Sequence, residues 1–484
     1  MTLNIPGQRL SLAVLAAASF YRPLVFWAEN AWDLSSPLKP LAVGLLTLGV
    51  ACLGWWGLSV LTRRPLVCAI GVALLILALM NWRRFSSPYL VLGAVAIVSV
   101  ALSFVRESFR RGLAWILVAA FGIAPLVQLG LSHLSNDEPY PIVDLAPRRP
   151  TIATGAVEDL LFVVVDGYPS LSLAEDWFGH DARPVTNSLE NLSFVVPQTA
   201  WTQLTFTALS VPSMLELQPI AEPGPTSYGN RSSVFSIMRG ESLVSAALRS
   251  AGFEYTHIES GWDGDTCHVA DRCIGGPLVD ETIWRLFETS AFYGPMENLG
   301  SYMFAGTRNT VDALHGLRQE FGDGESDYVF AHLMLPHEPN IVDSQCRPVS
   351  PGIEPEHIQA QMACVDMLIA EIAALTDETT AVVIVGDHGS HTLEQRFIPA
   401  DAWTDAQIAE RFGTFVAYRF PAQCAPPIEP VNLEVMRAAV SCTVEIDLPP
   451  NHGRFLIGAD NPKWVARDRM AQIQDDVSAG LLSP

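Results

Sequence analysis

Acidic residues are scarce in the first part of this chain. Residues 1–136 contain three acids, Glu29, Asp33 and Glu107, against ten arginines and lysines, whereas the rest of the 484 residues carries 48 acidic and 19 basic side chains. The second part is therefore strongly negative. Such a surface repels the phosphate backbone of nucleic acids and favours solubility. We expect a soluble second part without a nucleic-acid partner.

Cysteine pairs of the CxxC type are absent, which argues against the common thiolate zinc sites. Cys52 and Cys68 fall in apolar stretches, where buried thiols are common. The other six cysteines are Cys267, Cys273, Cys346, Cys364, Cys424 and Cys442. Their even number suits an oxidising compartment. Their order favours the local disulfides 267–273, 346–364 and 424–442 among fifteen connectivities, with zinc-ligating cysteines as the alternative.

In place of acids, the first part has long apolar stretches, and the mean hydropathy of the whole chain is +0.26. Five stretches approach the roughly 20 residues needed to cross a bilayer. They lie near 10–28, 40–62, 65–82, 88–105 and 112–134. A cleaved signal peptide is the alternative for the first, but it lacks a clear small-residue cleavage site. We predict a five-helix transmembrane bundle over residues 1–135.

The basic residues beside these stretches indicate an orientation, because positively charged loops stay in the cytoplasm. An N-terminus inside the cell places six basic residues in the cytoplasm and three outside. The six are Arg9, Arg63, Arg64, Arg106, Arg110 and Arg111, and the three are Lys39, Arg83 and Arg84. Arg22 lies inside the first stretch and is expected to snorkel. Five crossings export everything after residue 135.

Lysine is nearly absent, with Lys39 and Lys463 beside 27 arginines, a bias that hints at a GC-rich bacterial genome. We therefore predict a multi-pass protein of the bacterial inner membrane with a periplasmic C-terminal domain. Residues 136–158 are rich in proline and polar side chains and are interpreted as a linker. The exported catalytic domain is predicted to span 159–484.

Short apolar runs alternate with helical patterns in the exported part. The runs 159–166, 327–335 and 380–387 are continuously apolar, as buried strands are. Residues 311–322 and 356–376 have the periodicity of amphipathic helices. This alternation predicts an α/β domain with a mostly parallel central sheet flanked by helices.

Residues able to bind a metal stand at or near the end of each predicted strand. The first run leads into Asp166, the second contains His332 and leads to His337, and the third delivers Asp387 and His388. Ligands of such sheets bind beyond the carboxyl ends of the strands. Each residue also has a structural alternative, since a lone aspartate often caps a helix and a lone histidine is often a core residue. The combination favours a shared site.

Hydroxyl residues crowd the segment TAWTQLTFTALSVPSML (199–215), which then turns helical. A threonine there is either a helix cap or a nucleophile whose oxygen binds a dication and attacks phosphorus or sulfur.

With this segment, the chain resembles the alkaline phosphatase/sulfatase superfamily over about residues 158–420. It is most similar to membrane-anchored sulfatase-like transferases, namely lipoteichoic acid synthases, lipid A phosphoethanolamine transferases and proteins with a DGY motif. The resemblance implies that Thr207, in Thr-Ala-Leu-Ser-Val-Pro, is the nucleophile, with Thr205 in reserve. It implies one metal held by Asp166, Thr207, Asp387 and His388. It implies that His332 and His337, five residues apart, bind the substrate phosphate or a second metal.

Three departures from the family pattern stand out. The transferases carry glutamate where this chain has Asp166, which is nearer the sulfatase and DGY patterns. Their later histidine is replaced by Ala400, with His391 and His452 as candidate substitutes. Sulfatases need a Cys or Ser in C/S-x-P-x-R, and Met214 stands at the arginine position. An arylsulfatase mechanism is therefore disfavoured.

Three functions follow as expectations. The first is a transferase that takes a phospho-headgroup from a membrane phospholipid onto Thr207 and passes it to an envelope glycan or lipid. The second is a phosphodiesterase or sulfatase with water as acceptor, and the third is an inactive domain that binds an envelope component. Carboxylates with histidine suit Zn²⁺, whereas Mn²⁺ or Mg²⁺ prefers more oxygen ligands, so Zn²⁺ is expected.

Overall fold

The computed structural model describes residues 5–30, 38–135, 157–221, 231–293, 302–393, 398–446, 448, 451, 453–457 and 463–483. They form two compact units. The first comprises Met1–Asp137 with Glu281–Leu299, and the second comprises Glu138–Asp280 with Gly300–Pro484. Most of the predicted linker, residues 136–156, lies outside the described residues.

Apolar helices make up the N-terminal part of the first unit. They are α1 (Ile5–Glu29), α2 (Leu38–Thr62), α3 (Pro65–Met80), α4 (Pro88–Ala101), α5 (Glu107–Val118) and α6 (Ala124–Ser135). A π-helical turn at Ala119–Ile123 joins α5 to α6. Pro65 and Pro88 stand at the first position of their helices, where the missing N–H costs nothing. Each predicted apolar stretch is thus a helix.

Three helical spans in the described part of the chain are long and apolar enough to cross a membrane, namely Gln8–Glu29, Leu38–Thr62 and Glu107–Ser132. The outer face of α2 exposes Leu45, Leu46 and Leu53, as a lipid-facing helix does. Helices α3 and α4 have 16 and 14 residues. At 1.5 Å per residue they measure about 24 and 21 Å, less than the roughly 30 Å of a hydrocarbon core. The third and fourth helices thus end before residues 82 and 105, and the count of five membrane-crossing helices stays a prediction.

A six-stranded sheet forms the centre of the second unit. Its strands are β1 (Leu160–Val165), β2 (Glu254–Ile258), β3 (Arg272–Ile274), β4 (Asp327–Leu333), β7 (Ala381–Gly386) and β8 (Val416–Arg419). The order is β3-β2-β4-β1-β7-β8, and every neighbouring pair is parallel except β7 with β8. Two small antiparallel pairs join β5 (Asn340–Val342) to β6 (Pro348–Gly352) and β9 (Phe455–Ile457) to β10 (Lys463–Val465). The predicted mostly parallel α/β sheet is confirmed.

The remaining helices follow in chain order. They are α7 (Leu171–Phe178), α8 (Arg183–Asn191), α9 (Thr207–Leu215), α10 (Arg231–Met238), α11 (Leu243–Ser250), α12 (Glu281–Phe287), α13 (Tyr302–Leu317), α14 (Pro355–Ala373), α15 (Asp405–Phe412), α16 (Asn432–Thr443) and α17 (Arg467–Ser478). Strands β1, β4 and β7 are buried along their whole length, so both faces of the central sheet are covered. Helices α13 and α14 overlap the two predicted helices and pack on this core.

The three predicted disulfides are confirmed, joining Cys267 to Cys273, Cys346 to Cys364 and Cys424 to Cys442. Cys52 and Cys68, both in the first unit, are free thiols. The exported cysteines are thus all paired, which excludes them as zinc ligands.

A segment from far along the sequence belongs to the first unit, which the sequence did not predict. Residues 281–293, here the docking segment, bond to the end of α3: the Ala291 N–H donates to the Leu79 carbonyl at 2.8 Å and the Thr289 hydroxyl donates to the Met80 carbonyl at 2.9 Å. Leu286 is fully buried among apolar side chains of α1 and α2. The C-terminal ends of α1 and α3 and the N-terminal part of α2 therefore lie at one end of the bundle.

Leu286→Ala should destabilise the first unit by about 2–5 kcal/mol, because truncating a buried leucine leaves a cavity. The melting temperature of the full-length protein in detergent measures the loss. Leu481→Ala is the matched control, since Leu481 is 74% exposed and should change stability little. Equal melting of the two variants would contradict the docking of this segment.

Candidate active site

The ends of β1 and β7 bring three polar side chains together. Val165 is paired with Gly386 on β7, so Asp166 and Asp387 follow at the same edge of the sheet. The His388 Nε2 atom lies 3.3 Å from Asp387 Oδ2 and 3.6 Å from Asp166 Oδ1. All three side chains are at most 3% exposed. This sheet edge therefore holds two carboxylates and an imidazole in one buried cluster.

Thr207 joins this cluster at the first turn of α9. Its Oγ atom lies 3.2 Å from His388 Nε2, the atom that also lies 3.3 Å from Asp387 Oδ2. Thr207 is half-buried, whereas Asp166, Asp387 and His388 are buried. Thr205 is buried, and its carbonyl accepts a hydrogen bond from Arg411. Of the two candidate nucleophiles, Thr207 is the one in contact with His388.

Electron-rich atoms converge in this cluster without enough donors. The His388 Nδ1 atom is 2.8 Å from the Gly389 carbonyl, which can only accept, and 3.2 Å from Arg411 Nη1, which can only donate. The shorter contact assigns the proton to Nδ1, and Nε2 keeps its lone pair. Asp166 Oδ1 and Asp387 Oδ2 are buried without a hydrogen-bond partner among the described residues. Neighbouring ligands of a tetrahedral Zn²⁺ ion lie about 3.3 Å apart. The distances from His388 Nε2 to Thr207 Oγ, Asp387 Oδ2 and Asp166 Oδ1 are 3.2, 3.3 and 3.6 Å, which fit ligands of one divalent cation.

The charges of the cluster are arranged to favour such a cation. Burial, with the neighbouring charge of Asp166, raises the pKa of Asp387 to about 6. Burial, reinforced by the charge of Arg411, lowers the pKa of His388 well below its usual value, so its imidazole is neutral. Burial alone would raise the pKa of Asp166, but His337 and His332 overcome it and hold that pKa below its usual range. All three groups are therefore in the form that binds a metal near neutral pH, and Asp387 loses that form as the pH falls below about 6.

His332 is placed beside Asp166 but not at a surface that substrate reaches. It is completely buried, with Nε2 at 3.5 Å from Asp166 Oδ2 and Nδ1 at 3.0 Å from Asp265 Oδ2. Burial opposes its charge, but the two neighbouring carboxylates of Asp166 and Asp265 raise the pKa of His332 to about 10. The imidazolium thus links two buried carboxylates.

His337 lies on the open side of the cluster. Its ring centroid is 6.1 Å from that of His388 and 5.2 Å from that of His391. A ring nitrogen of His337, a carboxylate oxygen of Asp166 and a ring nitrogen of His388 all lie within 4.8 Å of one another. The His391 Nε2 atom contacts Glu338 Oε1 at 2.5 Å. His337, Glu338 and His391 line a small pocket. His391 therefore stands beside the cluster, while His452 lies outside the described residues.

A buried Glu–Arg pair on α15 holds the loop after β7. Arg411 Nη1 donates to the Gly389 carbonyl at 2.9 Å, and Nη2 donates to the Thr205 carbonyl, so one guanidinium joins this loop to the segment before Thr207. Glu410 accepts from the Thr392 N–H at 2.7 Å. A Cβ on Gly389 would collide with the carbonyl oxygens of Glu410 and Gly413, so only glycine fits.

Tyr168 anchors the loop after β1. Its hydroxyl donates to Asp366 Oδ1 of α14 at 2.5 Å, and it is completely buried. Gly167, between Asp166 and Tyr168 in the sequence, has a φ of +71°, in the left-handed region that favours glycine. Its N–H donates to Asp387 Oδ1 at 3.0 Å. The DGY sequence therefore supplies a ligand, a turn and an anchor.

Sequence reasoning missed Asp265, Glu410, Arg411 and Glu338. Asp265 belongs to GWDGDTC (261–267), where two acids stand between a tryptophan and a disulfide cysteine, and that pattern was the available signal. Glu410 and Arg411 end an amphipathic helix and have no local mark of function. Their role depends on long-range packing.

No protein-family model and no curated protein matches this sequence. Among solved structures, the chain is similar to the integral membrane lipooligosaccharide phosphoethanolamine transferase A (EptA) from Neisseria meningitidis. The two sequences are 12% identical, the match covers 85% of this chain and 88% of that one, and the TM-score is 0.36. The C-terminal periplasmic domain of EcEptC from Escherichia coli is similar with 10% identity, 66% and 96% coverage and a TM-score of 0.41.

A third similar structure is BT1596, a 2-O GAG sulfatase, with 11% identity, 60% and 72% coverage and a TM-score of 0.39. These proteins are members of the alkaline phosphatase/sulfatase superfamily that the motifs resemble. Identities this low leave the chemistry of the site to this chain's own residues.

Zn²⁺ affinity should depend on pH through Asp387, because its carboxyl must lose a proton to bind a cation and its pKa is about 6. We expect the affinity to fall about tenfold per pH unit below about pH 6 and to be level above about pH 7. Competition with a chelator, titrated on the full-length protein, measures this. Asp387→Asn should bind weakly at every pH, while the exposed Asp401→Asn should keep the wild-type profile. A profile independent of pH would refute the assignment.

Proposed function

We propose that this protein is a membrane-anchored, metal-dependent transferase that moves a phospho-headgroup from a phospholipid to an envelope glycan or lipid, with Thr207 as nucleophile. The observation that carries the proposal is the contact of the hydroxyl of half-buried Thr207 with a buried cluster of unpaired carboxylate oxygens and a neutral imidazole. A structural threonine needs no such surroundings. An inactive binding domain would not be expected to retain these orphaned oxygens.

The proposed metal ligands are Asp166, Thr207, Asp387 and His388. A bound dication lowers the pKa of a ligated hydroxyl and shields the charge of a phosphodiester. Two carboxylates, one imidazole and one hydroxyl suit Zn²⁺, with Mn²⁺ and Mg²⁺ as alternatives. His388 fits the ligand role because its Nδ1–H donates to a backbone carbonyl, the partner that metal-bound histidines usually have.

The first half of the reaction forms a covalent intermediate on the protein. The Thr207 oxygen attacks the phosphorus of the lipid and passes its proton to the Asp387 carboxylate, which belongs to the same cluster. The bond between phosphorus and the diacylglycerol oxygen breaks, and His337 protonates that oxygen. His337 suits this task because it lines the pocket beside the cluster.

The second half returns Thr207 to its starting state. A hydroxyl of the acceptor gives its proton to His337 and attacks phosphorus. The bond from phosphorus to Thr207 breaks, and Asp387 returns the proton to the threonine oxygen. Water in place of the acceptor would turn the same steps into hydrolysis, which is the alternative function.

His332 is proposed as a positioning residue rather than a substrate ligand. It is completely buried and its two nitrogens face Asp166 and Asp265. Its positive charge keeps Asp166 ionised, and Asp265 fixes the orientation of the ring. Both effects prepare Asp166 for the cation.

The membrane helices explain how the enzyme reaches its donor. We infer a multi-pass protein of the bacterial inner membrane whose second unit is periplasmic. Three candidate spans and three disulfides support this location. The docking segment comes from the exported part of the chain and contacts the end of α3, beside Arg83, which the charge bias places outside. The phospholipid donor then lies in the leaflet next to the catalytic unit.

Mass spectrometry of the protein from native membranes tests the nucleophile. We expect a phospho-headgroup adduct on Thr207, whose mass identifies phosphoethanolamine or phosphoglycerol. Thr207→Ala should lower headgroup transfer by at least about 10³-fold, while Thr207→Ser keeps a hydroxyl and partial activity. Thr205→Ala is the matched control and should remain active. An adduct on another residue would overturn the assignment, and headgroup release without an acceptor would identify a hydrolase.

Asp265→Asn should lower the transfer rate about 10–100-fold, because a residue that orients a ligand is lost. It should also move the alkaline limb of the pH–rate profile to lower pH, since the Asp265 carboxylate helps to raise the pKa of His332 to about 10. Asp271→Asn removes a carboxylate from an exposed ion pair with Arg249 and should change neither quantity. A slower enzyme with an unmoved alkaline limb would argue for a merely structural role.

A further inference from the structure

The bundle has a large cavity that the proposed chemistry does not use. Its volume is about 630 Å³, and it lies between the start of α1, the α2–α3 turn and the start of α5. Four arginines line it, namely Arg63, Arg64, Arg110 and Arg111. Arg63, Arg64 and Arg111 are exposed and Arg110 is half-buried, so these guanidinium groups stand where an anion can reach them.

The charge inside this cavity is not balanced by the protein. Glu107 is the single acid among its lining residues, and it pairs with Arg111 at 2.5 Å. Arg64 Nη1 donates to the Ser103 carbonyl at 2.5 Å. Arg63 and Arg110 have no ion pair within the described part of the chain, and Arg110 Nε is buried without a hydrogen-bond partner there. The exposed Arg63 and the half-buried Arg110 therefore carry two positive charges that no acid in the described part of the chain offsets.

The walls of the cavity are apolar as well as basic. Leu10, Leu66 and Trp115 line it beside the arginines. A ligand that matches the arginines and the apolar wall has an anionic group with several oxygen acceptors and a hydrocarbon part. Guanidinium groups bind phosphate oxygens through paired hydrogen bonds.

The cavity lies at the opposite end of the bundle from the docking segment. The docking segment contacts the C-terminal ends of α1 and α3, whereas the cavity is lined by the first turns of α1, α3 and α5. The charge bias places this end in the cytoplasm. Basic pockets between transmembrane helices on that side bind the headgroups of anionic lipids.

We propose that this cavity is a binding site for the phosphate headgroup of an anionic phospholipid from the cytoplasmic leaflet. Arg63 and Arg110 bind the phosphate oxygens, and the apolar wall receives the first part of the acyl chains. The lipid is a structural ligand of the helical bundle. The inference does not depend on the identity of the reaction.

Titration of the full-length protein in a neutral detergent with phosphatidylglycerol tests the site. We expect a saturable rise in melting temperature with phosphatidylglycerol and none with phosphatidylcholine, which has no net charge. Inorganic phosphate at the same concentration should give little rise, since it lacks the hydrocarbon part. A rise with phosphatidylcholine, or an equal rise with inorganic phosphate, would overturn the proposal of an anionic lipid.

Variants separate this site from lipid bound elsewhere, including at the catalytic unit. The double variant Arg63→Gln/Arg110→Gln should bind phosphatidylglycerol at least about tenfold more weakly, because charge-assisted hydrogen bonds are lost. Arg106→Gln removes an exposed arginine near α5 that does not line the cavity, and it should bind as wild type does. An equal loss in both variants would show a diffuse surface effect. If the glutamine variant does not fold, Arg63→Lys/Arg110→Lys replaces it in the test, because it keeps both charges. This lysine variant should bind phosphatidylglycerol with intermediate affinity, and wild-type affinity would count against recognition by guanidinium groups.

Discussion

The mutual repulsion of electron-rich atoms at one sheet edge is the constraint on which the rest of the exported unit depends. Two buried carboxylate oxygens and an imidazole lone pair face each other with a threonine hydroxyl as their neighbour. Left alone, such a cluster costs several kcal/mol of desolvation per charge. Only rigid surroundings keep it assembled, and a divalent cation turns the same repulsion into attraction.

The surroundings are rigid because each ligand is fixed by a different element. Asp166 follows the central strand, and Tyr168 ties its loop to α14 through Asp366. The loop after β7 is held from α15, where Arg411 bonds to the same loop and to the segment before Thr207. Four distant parts of the sequence thereby meet without relying on a flexible loop.

The sheet and the main cluster could be predicted because their signals are local. Runs such as 380–387 are apolar throughout, and the polar residues at their ends mark the binding edge of a parallel sheet. Asp265 and Arg411 could not be found this way, since each acts on partners at least 20 residues away through packing alone. The predicted stretches 65–82 and 88–105 are longer than their helices because apolar residues such as Trp82 and Phe104 continue past the helix ends.

The docking segment has a consequence for how the chain is made. Its residues are synthesised after Glu138–Asp280, so α1 to α3 are made long before the segment that packs on them. Until then Phe26 and Val43 lack Leu286, which covers them in the finished fold. The first unit is therefore complete only after more than half of the polypeptide has left the ribosome.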